Sequence, residues 1–359
     1  MFKLRKPLSL LVLAGAVFVA ASAGSEPSPR AAQDDSNPLE GAPFFVDHEA
    51  PSYLAWRRAG GRKKALLGKI ALQPKNIWFG TFTRPASQFR GKVRRPIDAA
   101  EAEGSIPLLT VLRAESIQCN PSYQGGGPAE DRRTREWYDK FAAAIGDSRV
   151  VIAFEPDSLG TIKCHAASRR DDRIKLLRYG VEKLTSLPNV TLYIEAGAAD
   201  WFPPAEAARL LRAVGVAKAQ GFMLNATHYD WTAENIRHGI KISNRIGGKH
   251  FIINTAENGR GPVHYRRTNP GRRINIWCNP GLRGLGPPPT TNTSNPRVDA
   301  YLWINRPGYA QSCDGHKIGW FLPRALTYAR FATTWESPPA GTRFGHKKRY
   351  PLNVFTHGR

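Results

Sequence analysis

Several features are absent from this 359-residue chain, and each absence removes a class of protein. No low-complexity stretch interrupts residues 40–335, which favours a single large α/β domain over modules strung on a linker. There is no internal repeat, so a solenoid or propeller is excluded. No apolar run reaches the ~20 residues of an ordinary membrane span; Leu8 to Ala20 falls short. Cysteine is sparse: there are four, no two close together, and no histidine lies at ligand spacing from them, so no metal site is expected. Acidic residues are also scarce, 29 against 52 Lys and Arg, a formal charge of +23. The basic residues are scattered rather than clustered with aromatics, and no nucleic-acid partner is expected.

What is present begins with an export signal. Lys3, Arg5 and Lys6 precede the short apolar run, and Ala21-Ser22-Ala23 is a small-residue cleavage site. The sequence thus predicts a signal peptide over 1–23, a disordered leader over 24–36, an ordered domain over 37–336 and a basic tail over 337–359. A secreted location fits an even cysteine count, which in an oxidising compartment favours two disulfides with three permitted connectivities. The 28 prolines and 33 glycines predict long, turn-rich loops, and 41% hydrophobic residues suffice for a substantial core.

Strand-like and helix-like segments alternate. Candidate strands are Pro43–Asp47, Asn76–Gly80, Ile106–Leu112, Val150–Phe154, Val190–Glu195, Gly221–Leu224, His250–Asn254 and Ala300–Ile304. Candidate helices are Ser52–Arg62 with Ser52 as cap, Pro96–Glu103, Asp131–Ile145 with Trp137, Phe141 and Ile145 on one face, Asp171–Leu184, Pro204–Val214, Thr232–Ile246 and Pro323–Trp335. Nearly continuous apolar strands separated by helices imply a largely parallel sheet. The expected architecture is α/β: a distorted, partly open barrel.

In such a barrel, catalytic groups collect at the C-terminal ends of the strands. Glu155 and Asp157 follow the fourth candidate strand, Glu195 ends the fifth, Asn225 to Tyr229 follow the sixth and Glu257 follows the seventh. The run Phe154-Glu155-Pro156-Asp157-Ser158-Leu159, with Cys164 just beyond and Cys119 upstream, resembles glycoside hydrolase family 6, the inverting cellulases. Trp277-Cys278-Asn279 resembles the family's Trp-Cys-Asn. Trp201 falls on a sugar-stacking Trp, Asn225 and His228 on a substrate-contacting loop, and Asn305-Arg306 on a Lys-containing segment that follows Trp303. Trp303 itself, inside a strand, also reads as core.

The resemblance implies Asp157 as proton donor and Asp314, before Gly315, as base; an Asp-Gly pair is equally a turn signal. It implies substrate contacts at Trp201, Asn225, His228, Trp277, Asn305 and Arg306. It pairs Cys119 with Cys164 and Cys278 with Cys313. The implied function is hydrolysis of β-1,4-glucan by a monomer without cofactor, and the basic surface fits either plain solvation or attraction to anionic cell-wall polymers. One departure stands out. The family places an Asp beside the proton donor, just before the first disulfide cysteine, and this chain has Gln118. Ala198 and His228 also replace family residues. These changes keep open a second reading, a weakened polysaccharide-binding protein.

Overall fold

The computed structural model describes residues 36–114, 127–266, 273–275, 279–311 and 316–342, with residues 1 and 344. The expected signal peptide, nearly all of the leader, Gln118, Cys119, Trp277, Cys278, Cys313, Asp314 and most of the basic tail lie outside the described residues. The chain divides into two units, Met1–Ser36 and Asn37–Arg359. No helix among the described residues is long and apolar enough to cross a membrane.

The second unit is built on a seven-stranded sheet of β1 (Ile77–Gly80), β2 (Leu108–Leu112), β3 (Val150–Phe154), β4 (Val190–Glu195), β5 (Gly221–Leu224), β6 (His250–Asn254) and β9 (Val298–Leu302), in that spatial order. Every pairing is parallel. Helices α1 (Pro51–Arg57), α2 (Gly61–Ala71), α3 (Phe89–Ala102), α4 (Pro128–Ile145), α5 (Ala167–Thr185), α6 (Pro204–Ala213), α7 (Thr232–Ser243) and α8 (Leu322–Arg330) accompany it. Two small hairpins, β7 (His264–Arg266) with β8 (Arg273–Asn275) and β10 (Tyr309–Ala310) with β11 (Gly319–Trp320), stand apart from the main sheet.

The sheet curls into a half-barrel whose two edges approach without forming a ladder. Asn76 donates its backbone N–H to Trp303 O (3.0 Å), and Trp78 Nε1 donates to Ile304 O (2.7 Å). The expected partly open barrel is therefore the observed one.

Why the strands are apolar throughout is clear from the two faces. Alternate side chains point to opposite sides of a pleated sheet. Leu109, Val111, Ile152, Phe154, Leu192, Ile194, Phe222 and Phe251 pack with residues of α3 to α7. Their neighbours Leu108, Val151, Ala153, Tyr193, Met223, Ile252, Ala300 and Leu302 fill a second cluster on the concave side. Trp303 joins a third cluster with Leu67, Ile70, Ala325 and Tyr328, and its core reading is the one observed.

Several expectations need correction. Pro43–Asp47 is not a strand: Phe44 makes one isolated parallel bridge to Ile106, and Pro43 has no N–H to extend it. The last core strand begins at Val298, two residues earlier than expected. Ser52 is not a cap; α1 opens with Pro51 after an Ala50 N-cap, and Ser52 is buried in its first turn. The helix expected to run to Arg62 stops at Arg57. A second helix starts at Gly61, whose φ of 49° suits glycine. Pro96, read as a helix start, lies inside α3, which begins at Phe89. The Trp137 face of α4 is as expected: Trp137 stacks on Phe141 at 5.0 Å.

Close strand approach generates a test. A Cβ on Gly221 would sit 1.8 Å from His250 O, a backbone atom of the paired strand β6. Gly221→Ala must push two central strands apart and is expected to cost about 3 kcal/mol, the upper range for overpacking. Chemical denaturation of both proteins measures the loss.

Candidate active site

The site grows from the C-terminal ends of the strands. Leaving β3, the backbone enters the left-handed region at Glu155 (φ 54°) and again at Asp157 (φ 67°); Asn225, after β5, does the same at 67°. Such conformations cost non-glycine residues about 1–3 kcal/mol and persist only where surroundings enforce them. Here the enforcement is visible. Fully buried Glu155 accepts hydrogen bonds from the N–H groups of Arg113 (3.0 and 3.1 Å to its two oxygens) and Ala114 (3.0 Å) and from Tyr138 Oη at 2.6 Å. It thereby anchors the chain leaving β2.

Glu195, the last residue of β4, secures the loop that carries Asp157. Its Oε2 accepts the N–H groups of Leu159 (2.7 Å) and Gly160 (3.3 Å), and its Oε1 accepts that of Gly197. Gly160 is required beneath Trp201, because a Cβ there would meet the indole at 2.4 Å. Burial, then the charge of Asp157, push the Glu195 carboxyl up to about 8 against the pull of those three N–H donors.

Asp157 itself is half-buried and accepts a hydrogen bond from Thr227 Oγ1 at 2.5 Å. Burial raises its pKa above the ordinary value; the Thr227 hydroxyl and the His228 charge oppose that rise. His228, next in sequence, lies 2.9 Å through Nδ1 from Asp200 and stacks on Trp201 with ring centroids 4.7 Å apart. Burial disfavours its imidazolium, but Asp200, Asp157 and Asp230 outweigh this and lift it to about 9. Asp230 is buried beside Asp200 and Glu234, and its carboxyl is raised too.

Farther around the rim, two asparagines tie the loops together. The Asn225 amide is fully buried and donates to Asp230 O (3.2 Å) and Asn254 O (2.9 Å) while accepting from Asp230 N–H. Asn254 Oδ1 accepts the N–H groups of Ile304 and Asn305. Asn305 Nδ2 in turn donates to Glu257 Oε2 at 2.7 Å. Glu257 is buried near Arg324, and burial dominates, pushing it up to about 7. The Arg306 guanidinium lies over the rings of Tyr309 (4.3 Å) and Trp78 (5.2 Å).

The structure thus brings Asp157, Trp201 and His228 into one cluster. Asn225 is built into the loops as a clamp, and Asn305 and Arg306 lie at the end of β9. Trp277 and Asp314 are outside the described residues. Among the described residues, no group of three or more His, Cys, Asp or Glu is placed to hold a metal ion. Cys164 is disulfide-bonded; its partner lies outside the described residues. Sequence reasoning did not assign Thr227, Asp200 or the anchoring part of Glu195. The available signal was only that each is a polar residue at or just past the end of an apolar strand.

A parallel half-barrel with protonatable carboxyls held at its C-terminal rim is the architecture of an acid/base enzyme. The comparisons make this specific. The family model for glycosyl hydrolases family 6 matches residues 41–346, and the chain belongs to that family. It is 36% identical over 292 residues to Endoglucanase A of Cellulomonas fimi, covering 80% of this chain and 61% of that protein. It is 30% identical over 279 residues to Endoglucanase A of Thermobispora bispora, covering 76% and 58%. The chain therefore spans about three fifths of the length of these two relatives. The structure of the endoglucanase Cel6 from Mycobacterium tuberculosis, in complex with a methyl-cellobiosyl-thio-cellobioside, superposes with a TM-score of 0.74 at 35% identity. The match covers 82% of this chain and 99% of that one.

Two measurements probe the cluster. The Thr227 hydroxyl favours the ionised form of Asp157, so Thr227→Val is expected to raise the Asp157 midpoint. Carbon-13 titration of the carboxyls reads it; an unmoved midpoint would show that the hydroxyl is no partner. His228 has a folded-state value of about 9 against 6.5 for the free side chain. Its contribution to stability is therefore fully present below about pH 6.5 and lost as pH rises through 9. Urea unfolding across that window should show the slope in wild type and lose it in His228→Asn.

Proposed function

We propose that this chain is a secreted glycoside hydrolase that cleaves β-1,4-glucan by an inverting acid/base mechanism. The observation that carries the reading is Asp157: it leaves β3 in a left-handed conformation, at a half-buried position that favours the protonated carboxyl. A general acid must hold its proton at working pH and sit where a leaving oxygen can reach it. In the proposed reaction Asp157 protonates the leaving glycosidic oxygen while the glycosidic bond breaks. A water attacks the anomeric carbon from the opposite face and gives its proton to Asp314.

Gln118 does not supply the carboxylate that the family sets beside the donor. Glu195 is proposed to replace its effect from the other side of the loop. The Asp157 charge helps push the Glu195 carboxyl up to about 8, and the pair is proposed to retain one proton near neutral pH. Trp201, His228, Trp277, Asn305 and Arg306 are proposed to line the glucan path, with Asn225 holding the loop that presents His228. Export and the Cys119–Cys164 and Cys278–Cys313 pairings belong to the same proposal; the disulfide bond at Cys164 is consistent with it.

Gln118 and the buried Ala198 also favour the second reading, a polysaccharide-binding protein of weak activity. Catalysis separates the two. Asp157→Ala is expected to lower turnover of soluble β-glucan at least ~100-fold while leaving glucan binding largely intact. Reducing-sugar release measures the first and affinity electrophoresis the second. Proton NMR of early product should show the α-anomer. Equal turnover in wild type and variant removes Asp157 from the mechanism, and no turnover in either supports the binding protein.

A further inference from the structure

A pocket of about 240 Å³ lies at the seam where β1 and the end of β9 meet, lined by Asp47, Lys75, Trp78, Arg95, Arg306 and Tyr309 among others. It is smaller than the 300–1,000 Å³ of sites for drug-sized ligands and suits a single ring-sized group. Its charged side chains can be accounted for one by one. Arg95 is saturated: it grips both oxygens of Asp47 at 2.9 and 3.0 Å and pairs with Glu49 at 3.0 Å. Lys75 is turned to backbone, donating to the carbonyls of Ile70 (2.8 Å) and Gln73 (2.5 Å), and burial brings its ammonium down to about 7 despite Asp47.

Arg306 is different. Its Nε is buried without a hydrogen-bond partner, and no carboxylate among the described residues forms an ion pair with it. Glu257, the acid whose charge reaches it, is already bonded to Asn305 and faces Arg324. Two aromatic rings, Trp78 and Tyr309, flank the guanidinium. Arg306 is half-buried, and the guanidinium fork matches a carboxylate in two-point geometry.

We infer that this seam pocket is a subsite for a sugar unit carrying a carboxylate, with Arg306 as its receptor. The inference rests on the β-glucan reading and adds a charge preference to it. A glucose oxidised at C6 to a uronate keeps the apolar ring faces that Trp78 and Tyr309 can meet. It adds the one anion that Arg306 lacks. Arg306 follows β9 beside Asn305, and Lys75 to Trp78 lead into β1 on the other side of the seam. The chain would then favour glucan with scattered acidic units over wholly neutral glucan.

The test is calorimetric binding of cello-oligosaccharides, neutral or with one unit oxidised at C6, to the full chain in an Asp157→Asn background. At low salt the oxidised ligand is expected to bind ~10-fold tighter, with the advantage shrinking as salt rises. Arg306→Gln should abolish the advantage and Arg306→Lys should keep part of it. Equal binding of both ligands, or an advantage that survives in folded Arg306→Gln, overturns the inference. So does displacement by inorganic phosphate as effective as that by the oxidised oligosaccharide, which would indicate an unspecific anion hole. If Arg306→Gln fails to fold, the ligand ratio and its salt dependence in the parent chain still decide. Binding of the oxidised ligand with none of the neutral one would leave the pocket standing and remove the glucan reading. The reverse would do the opposite.

Discussion

The carboxyl of Glu195 is the constraint on which the rest of the site depends. It is the last residue of a central strand, and it spends both oxygens on backbone N–H groups: Leu159 and Gly160 across the sheet, and Gly197 on its own loop. Left unpaired in a buried loop, those donors would each cost on the order of 1–3 kcal/mol. The same contact fixes the segment that begins at Asp157, whose left-handed backbone needs such support. Because the Glu195 carboxyl is close enough to Asp157 for that charge to raise its pKa, one group acts both as a fastener and as an electrostatic neighbour. Shape and proton affinity of the loop are set together.

Reading outward, the rim behaves as a chain of side-chain clamps. Glu155 holds the end of β2, Glu195 the loop after β3, Asn225 the β5 loop against β6, and Asn254 the segment after β9. Each clamp replaces a ladder that the strands can no longer supply once they diverge. This is how a half-barrel with an open seam presents a rigid rim: the backbone donors freed at strand ends are returned to buried carboxyls and amides.

Much of this was legible in sequence, for reasons that also explain the gaps. The core strands could be read because a strand buried on both faces must be apolar at every position, as in Val150–Phe154. Pro43–Asp47 was misread because a short apolar run looks the same whether it pairs along its length or at one residue. The helix Gly61–Ala71 was hidden because the expected helix ran through the Gly60-Gly61 pair to Arg62, whereas that pair separates one helix from the next. Asp157 could be found because its motif is local and long. Thr227 could not, since its partner is 70 residues away and an Ala-Thr-His-Tyr loop says nothing of distance. The Asp200–His228 pair was likewise invisible: each residue alone is an ordinary polar loop position.

The distribution of charge carries the argument one step further. The chain as a whole has a formal charge of +23, yet Asp157, Glu195, Asp200, Asp230 and Glu257 gather at the strand ends against His228, Arg306 and Arg324. Spread over a solvated surface, an excess of Arg and Lys is screened within about 10 Å at ordinary salt. Inside the rim there is little solvent to screen, so the local acids govern. Burial then drives those carboxyls toward their neutral forms, as at Glu195 and Glu257, while the histidine among them is driven toward its charged form. The two tendencies have a common result: protons are concentrated at the C-terminal end of the barrel, in a protein whose overall charge would by itself repel them.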